Sequence, residues 1–382
     1  MAAPAVGRGT DLEDLDIPES ARWAAVDAGL ETMRRRVGEY LARPESFAAD
    51  LWEVDARWRT DGDAWRDLCA EHGAVLGDRG RFAELGVLAE GAGRAAASIP
   101  YIGSALSALV LAAADPSALA ELRGGAPGAL AWAGPDEPVA VRFVGGLLNG
   151  TVAFVFDGAA AEIVVAVAED DSGATVLCRV DDPSLVGRTT RGIADPTRDL
   201  ATLTFDAVPA SVLCGGTEAI GLLAELETAA AVLLALDAFG SAQAAMDLAV
   251  GYAKQRVQFG KVIGSYQAVA HHCANMFLLV ENARSLARMA AWSVAWAEPG
   301  AALSAAQAKS AATENAVEVG RLAIQVHGGI GMTWARPTHV HYKRAWVDRA
   351  ALGSARHQRE RITTMLTEAQ PRGFPPMYRT PF

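Results

Sequence analysis

Cysteine is scarce in this chain: Cys69, Cys178, Cys214 and Cys273 are the only four among 382 residues, and no two stand at paired spacing. That argues against a disulfide framework or a cysteine metal site and leaves buried thiols in a reducing cytosol as the expected state. Basic charge is in deficit as well. Lys and Arg number 34 against 45 Asp and Glu, a net charge of −11, and no basic stripe offers a nucleic-acid surface. No apolar run of membrane-spanning length is uninterrupted. The longest, 219–240, is broken by Glu225, Glu227 and Asp237 and reads as a buried helix, so no membrane span is expected. The first ten residues are small and polar, so no signal peptide is expected either, and the location implied is cytoplasmic. Also missing are a Walker-type loop and a Gly-x-Gly-x-x-Gly at a strand-to-helix junction, which excludes the common modes of cradling a nucleotide. His271-His272 has no acid or second cysteine at ligand spacing, so it reads as solvated histidines and no metal is expected.

What is present is apolar mass in a definite order. Hydrophobic residues make up 51% of the chain and charged ones 21%, enough for a large core. Residues 20–42 and 51–71 show apolar residues at helical spacing, the first with Arg34-Arg35-Arg36 near its middle. Residues 82–114 are apolar and small, suited to closely packed helices. Asp115-Pro116-Ser117 is a helix start, stopped by Gly124-Gly125. Short β-rich runs follow at 139–144, 152–156, 162–168, 174–180 and 201–205. The turn formers Asn149-Gly150, Asp157-Gly158 and Asp171-Ser172-Gly173 divide them, a spacing that fits a small antiparallel barrel or sandwich. Helical pattern then returns at 219–256, 265–297, 302–326 and 340–367.

Two segments carry chemistry. Arg256-Val257-Gln258-Phe259-Gly260-Lys261 begins a run that reaches Gln267, supplying a guanidinium, an aromatic and an amide within a dozen residues. Gln325-Val326-His327-Gly328-Gly329-Ile330-Gly331 places paired glycines where a ligand can lie against bare backbone. A planar fork for phosphate together with close backbone approach suits a dinucleotide. The plainer readings are a surface ion pair for Arg256 and a helix C-cap for Gly328-Gly329.

The helix–strand–helix order and these two motifs resemble the acyl-CoA dehydrogenase family, over about 20–366. In the β stretch, Asn149-Gly150-Thr151, Asp157-Gly158-Ala159-Ala160 and Asp195-Pro196-Thr197-Arg198 are similar to that family's middle domain. The resemblance implies an α+β, acyl-CoA dehydrogenase-like fold: an N-terminal helical domain (1–125), a middle antiparallel β-domain (126–215) and a C-terminal four-helix bundle (216–382). It implies FAD as cofactor, an acyl-CoA substrate and an electron-transfer flavoprotein as acceptor. Transferred to this sequence, it sets Arg256 on the FAD pyrophosphate and Phe259 beside the nucleotide. Gln267 and Gln325 would hydrogen-bond it, and Gly328 and Gly329 would admit it. Such a site crosses a subunit boundary, so an oligomer is implied.

Two family features are missing. The reaction that the resemblance implies, α,β-desaturation, needs a carboxylate base, yet Leu352 and Ala230 stand at the two places where relatives keep a glutamate. Glu227, almost one turn from Ala230, is expected to face solvent or a partner. Asp237, inside an apolar stretch, is expected to be a buried hydrogen-bonding or ion-pairing group and remains a weak candidate for the base. The segment 133–138, Ala-Gly-Pro-Asp-Glu-Pro, is too short and lacks the Ser and Thr of the family's flavin-ring motif. This half-retained pattern is similar to the non-catalytic, β-type subunit of actinobacterial α2β2 heterotetrameric acyl-CoA dehydrogenases, whose homologous partner subunit carries the base. Such complexes are similar to those acting on CoA thioesters of sterol side chains. A homo-oligomeric dehydrogenase with a relocated base and a non-enzymatic scaffold stay open as alternatives. Trp334, Arg336, His339, His341, Lys343 and Arg344 form an aromatic–basic run, read either as a contact for CoA or a partner or as a helix with one basic face.

Overall fold

The computed structural model describes residues 30–39, 62–190 and 192–369. Helix α1 (30–39) buries Leu30, Met33 and Val37, one helical face. Helix α2 is Gly62–His72; the remainder of the two helices expected over 20–42 and 51–71 lies outside the described residues. Residues 82–114 form α3 (Phe82–Ala95) and α4 (Tyr101–Ala114), divided where Ala96 turns left-handed at φ 46° and Pro100 precedes the next helix. At α5 (Pro116–Arg123), Asp115 caps the start by accepting the Ala118 N–H at 3.0 Å, with Pro116 in the first turn.

The β stretch contains β1 (Gly128–Ala131), β2 (Val141–Val144), β3 (Leu147–Phe156), β4 (Ile163–Glu169), β5 (Thr175–Val180), β6 (Gly187–Thr190) and β7 (Leu200–Gly215). Strands β4, β2, β3, β7 and β5 pair in that order, and β4 pairs again with β5, so the sheet closes on itself around a small core that includes Val141, Leu148, Val164, Ala166, Cys178 and Leu203. β1 runs parallel to β4, and β6 adds to β7.

Two expectations fail here for a common reason. Asn149-Gly150 is not a turn; it lies inside β3, where Gly150 at φ 139° sits at a register shift against β7. The Asn149 side chain accepts the Ala207 N–H at 2.9 Å across that bulge. The actual β2–β3 turn is Gly145-Gly146, both at positive φ. On the partner strand, Ala207 at φ 50° absorbs the extra residue, so β7 continues far beyond 205.

The C-terminal third is led by α6 (Gly216–Gln255), whose stretch 229–242 is continuously buried beneath α3, α7 (Gln267–Ala295), α8 (Ala301–His327) and α9 (Thr338–Ala350). Among the described residues it is the one helix long and apolar enough to cross a membrane. Gly93 and Gly240 bring α3 and α6 into backbone contact: a Cβ at Gly240 would stand 2.1 Å from the Glu90 carbonyl oxygen. The helix expected over 340–367 is two, α9 and α10 (Ala355–Ala369). Leu352 (φ 50°) and Gly353 (φ 89°) break it, and Ser354 caps the restart by accepting the His357 N–H.

Candidate functional site

The two motifs meet at one end of the helical bundle. Tyr252, one turn before Arg256, stacks on His327, the residue before Gly328, with ring centroids 4.6 Å apart. α6 ends at Gln255, and the chain forms a two-stranded hairpin, β8 (Val257–Gln258) and β9 (Lys261–Val262), before α7 starts at Gln267. Its two-residue turn is Phe259-Gly260, at φ 51° and 80°. Both positive angles suit a hairpin turn, but Asn is the usual first residue there. An aromatic in that conformation costs about 1–2 kcal/mol, and its side chain is 91% exposed. Tyr266 props the tip by donating to the Gln258 carbonyl at 3.1 Å.

Arg256, Gln267 and Gln325 are exposed around this hairpin and the end of α8. The Arg256 guanidinium has no carboxylate partner among the described residues, so the surface ion pair is not formed there. Gly328 does cap α8, its N–H returning to the helix, and at φ 66° and ψ −148° it needs glycine. A Cβ at Gly328 or Gly329 would meet nothing within 4 Å, so this backbone is open to a ligand. An unpaired guanidinium, an outward aromatic, two exposed amides and open backbone fit the phosphate and adenosine side of a dinucleotide such as FAD.

The other end of the site is built differently. Ala230 is fully buried and Leu352 is 6% exposed. The short 133–138 loop lies against the α9–α10 break: a Cβ on Gly134 would be 3.3 Å from the Leu352 Cα, and one on Gly353 would be 3.0 Å from Pro135. Asp136 accepts the Ser354 N–H at 3.3 Å. The two features missing from the sequence are therefore neighbours in space.

Neither candidate acid is free. Glu227 does not face solvent; it accepts from His357 at 2.7 Å and pairs with Arg361 at 3.0 Å, both on α10. Local pattern around Glu227 cannot show this pairing, because its partners lie beyond residue 350. Asp237 accepts two bonds from Arg344, both 2.7 Å, and one from Tyr101 at 2.6 Å, and pairs with Arg198 at 2.9 Å. Burial alone would raise the Asp237 carboxyl, but the Arg198 and Arg344 charges outweigh it and hold it below the usual carboxylate range. An ion-paired acid so poised is a poor base. Arg344 also reaches Thr197 at 2.7 Å and the Ala97 carbonyl, and Arg198 binds Asp348 at 2.5 Å.

The aromatic–basic run thus does not form one basic face. Arg344, His339 and His341 point into the protein, and His341 meets Ser241 at 3.0 Å. Lys343 lies over Trp334 and Arg336 over Tyr252, on the cofactor-motif side. Sequence reasoning also missed Lys309, fully buried on α8, which donates to the carbonyls of Ala351 and Leu352. Its only trace in the sequence is a cation set among the alanines of the first half of that helix. His271 is exposed and His272 half-buried, and no metal-binding cluster occurs among the described residues.

Comparison with known proteins gives a consistent result. The family model for the acyl-CoA dehydrogenase C-terminal domain matches residues 227–367. Over 344 residues the chain is 30% identical to acyl-CoA dehydrogenase IpdE2 of Mycolicibacterium smegmatis, covering 87% of this chain and 97% of that protein. Among solved structures, the ChsE4-ChsE5 complex from Mycobacterium tuberculosis superposes with TM-score 0.74 at 25% identity, covering 94% of this chain and all of that one. The Tcur3481-Tcur3483 steroid ACAD superposes with TM-score 0.77 at 24% identity, over 90% and 98% of the two chains, a likeness of fold.

Proposed function

The chain belongs to the acyl-CoA dehydrogenase family, and from that premise we propose that it is a cofactor-completing, non-catalytic subunit of an FAD-dependent acyl-CoA dehydrogenase. In this reading a homologous partner subunit holds the flavin ring and the base, while this chain closes over the other end of the cofactor. One observation carries the proposal. The cofactor-end groups stand exposed and, among the described residues, unpaired, whereas at the other end the 133–138 loop rests on Leu352, where the family's base would be.

Arg256 would take the pyrophosphate as a bidentate fork. Phe259 would pack beside the nucleotide, Gln267 and Gln325 would hydrogen-bond it, and the backbone at Gly328 and Gly329 would approach it directly. FAD, when bound, supplies the acceptor for the β-hydride of the acyl thioester. The proton is removed by the partner, since Asp237 and Glu227, the two acids weighed for that role in this chain, are tied up in ion pairs. The strained Phe259 turn supports a cross-subunit contact, because its side chain has nothing to pack on among the described residues. The substrate proposed is an acyl-CoA of lipid or sterol catabolism, supported by the name of the steroid ACAD neighbour, and the acceptor an electron-transfer flavoprotein.

The test is co-expression with a homologous chain that carries a glutamate base and a Ser/Thr-containing β motif. The pair should purify as a yellow complex that desaturates acyl-CoA, while this chain alone is colourless. Arg256→Ala in the complex should lower FAD content. A stable, FAD-saturated and active assembly of this chain by itself would sink the proposal, and unchanged FAD content in Arg256→Ala would make the motif a relic.

A further inference from the structure

Lys309 is the one lysine in the fully buried set of side chains, and its surroundings explain how an ammonium is tolerated there. α9 ends at Ala350, where helix carbonyls lose their N–H partners and carry partial negative charge. The Lys309 Nζ donates to the Ala351 carbonyl and, at 3.0 Å, to that of Leu352. Asp348, in the last turn of α9, is fastened separately to Arg198. Residues 348–352 are thus pinned by two buried cations that arrive from different elements, one from the loop entering β7 and one from α8. The 133–138 loop lies against the same break, with Gly134 on Leu352, Pro135 against Gly353 and Asp136 on the Ser354 N–H.

We propose that Lys309 is a latch: by gripping the Ala351 and Leu352 carbonyls it keeps the 351–354 break seated against the 133–138 loop, as a fixed cover over the family's base position in this chain. This rests on the reading of that position as disused, and it adds a device that holds it shut. The charged groups facing Lys309 are Asp348, Asp136, Glu227 and Arg361. Burial pulls its ammonium down to about 7. A neutral amine still donates two N–H groups, enough for both carbonyls, so the latch holds in either state.

Hydrogen exchange on the full chain, without cofactor or partner, tests this. Lys309→Met keeps the stem and removes the donor. Amides over 351–358 and over 132–138 should then exchange about tenfold faster or more, both segments together, while α3 and the middle of α6 keep their protection. Leu322→Ala serves as the control for a general loss of stability, which should not single out those two segments. Unchanged exchange in either segment, or the same pattern in Leu322→Ala, overturns the latch. If Lys309→Met yields no folded protein, Lys309→Gln, whose shorter stem draws the donor back from the two carbonyls, decides instead: both segments loosen by about threefold or more, or the latch is wrong. Since neither FAD nor a partner enters the measurement, its failure leaves the cofactor-completing role untouched.

Discussion

Asp237→Asn separates a structural acid from a catalytic one. The carboxylate accepts three hydrogen bonds, from Arg344 on Oδ1 and from Arg344 and Tyr101 on Oδ2, and its Oδ1 is also ion-paired with Arg198. Asparagine keeps one acceptor oxygen and turns an NH2 toward two donors, leaving two buried guanidinium groups without their shared anion. Each charge-assisted bond contributes about 1.5–3 kcal/mol, and disrupting a buried pair costs roughly 3–5 kcal/mol in total. A chain of 382 residues, at about 2.1 cal/mol/K per residue, loses about 4–6 °C of Tm for that cost. Scanning calorimetry at fixed protein concentration reads the shift. Asp237 is held below the usual carboxylate range, so its contribution is present above the unfolded pKa, about 3.9, and is lost as pH falls through the folded value. Wild type and variant should therefore converge in acid. Activity per bound FAD in the complex should survive. A variant with unchanged Tm that keeps FAD and loses desaturation would refute the argument and make Asp237 the base.

Two other acids make separable predictions. Asp157 is buried, accepts the Gly103 N–H at 2.7 Å, and is pushed up by burial to about 8. Its contribution to stability is full below about 4 and drains away as pH rises toward 8. Asp157→Asn keeps the acceptor, so its Tm relative to wild type should climb between pH 5 and pH 8; a pH-independent difference refutes the assignment. Glu227→Gln should leave turnover of the complex within about twofold and lower Tm by only a degree or two, since it weakens partly buried pairs to His357 and Arg361. A hundredfold loss of turnover with FAD retained would restore Glu227 as a candidate base.

Much of this architecture could be read in the sequence. The Asp115 cap, the Asp171-Ser172-Gly173 turn and the return to helical period after the strands all depend on neighbouring residues, and local pattern reports such effects well. The cofactor-end motifs were legible for the same reason: each is a short contiguous run. What escaped depends on distant partners. Asn149-Gly150 carries a strong turn signal, yet pairing with β7 makes it a bulge. The 340–367 helix keeps its apolar period through 351–354, and only the left-handed Leu352 and Gly353 with the Ser354 cap break it. Glu227 looks like a surface acid until α10 brings His357 and Arg361 to it. Lys309 has no local partner at all; the carbonyls that need it are more than forty residues away.

The Asp237 cluster also governs where this polypeptide can be cut. Its members come from the N-terminal third (Tyr101 on α4 and the Ala97 carbonyl just before it), the loop entering the last long strand (Thr197, Arg198) and two helices of the C-terminal third (Asp237, Arg344). Fragments divided near residues 125 and 215 would each inherit part of a charge set that is balanced only when whole. The middle piece would hold Arg198 with neither of its carboxylates, and the C-terminal piece would hold Asp348 without its guanidinium. The three stretches should therefore melt in a single cooperative transition, and a severed piece should fold only when its complements are supplied in trans.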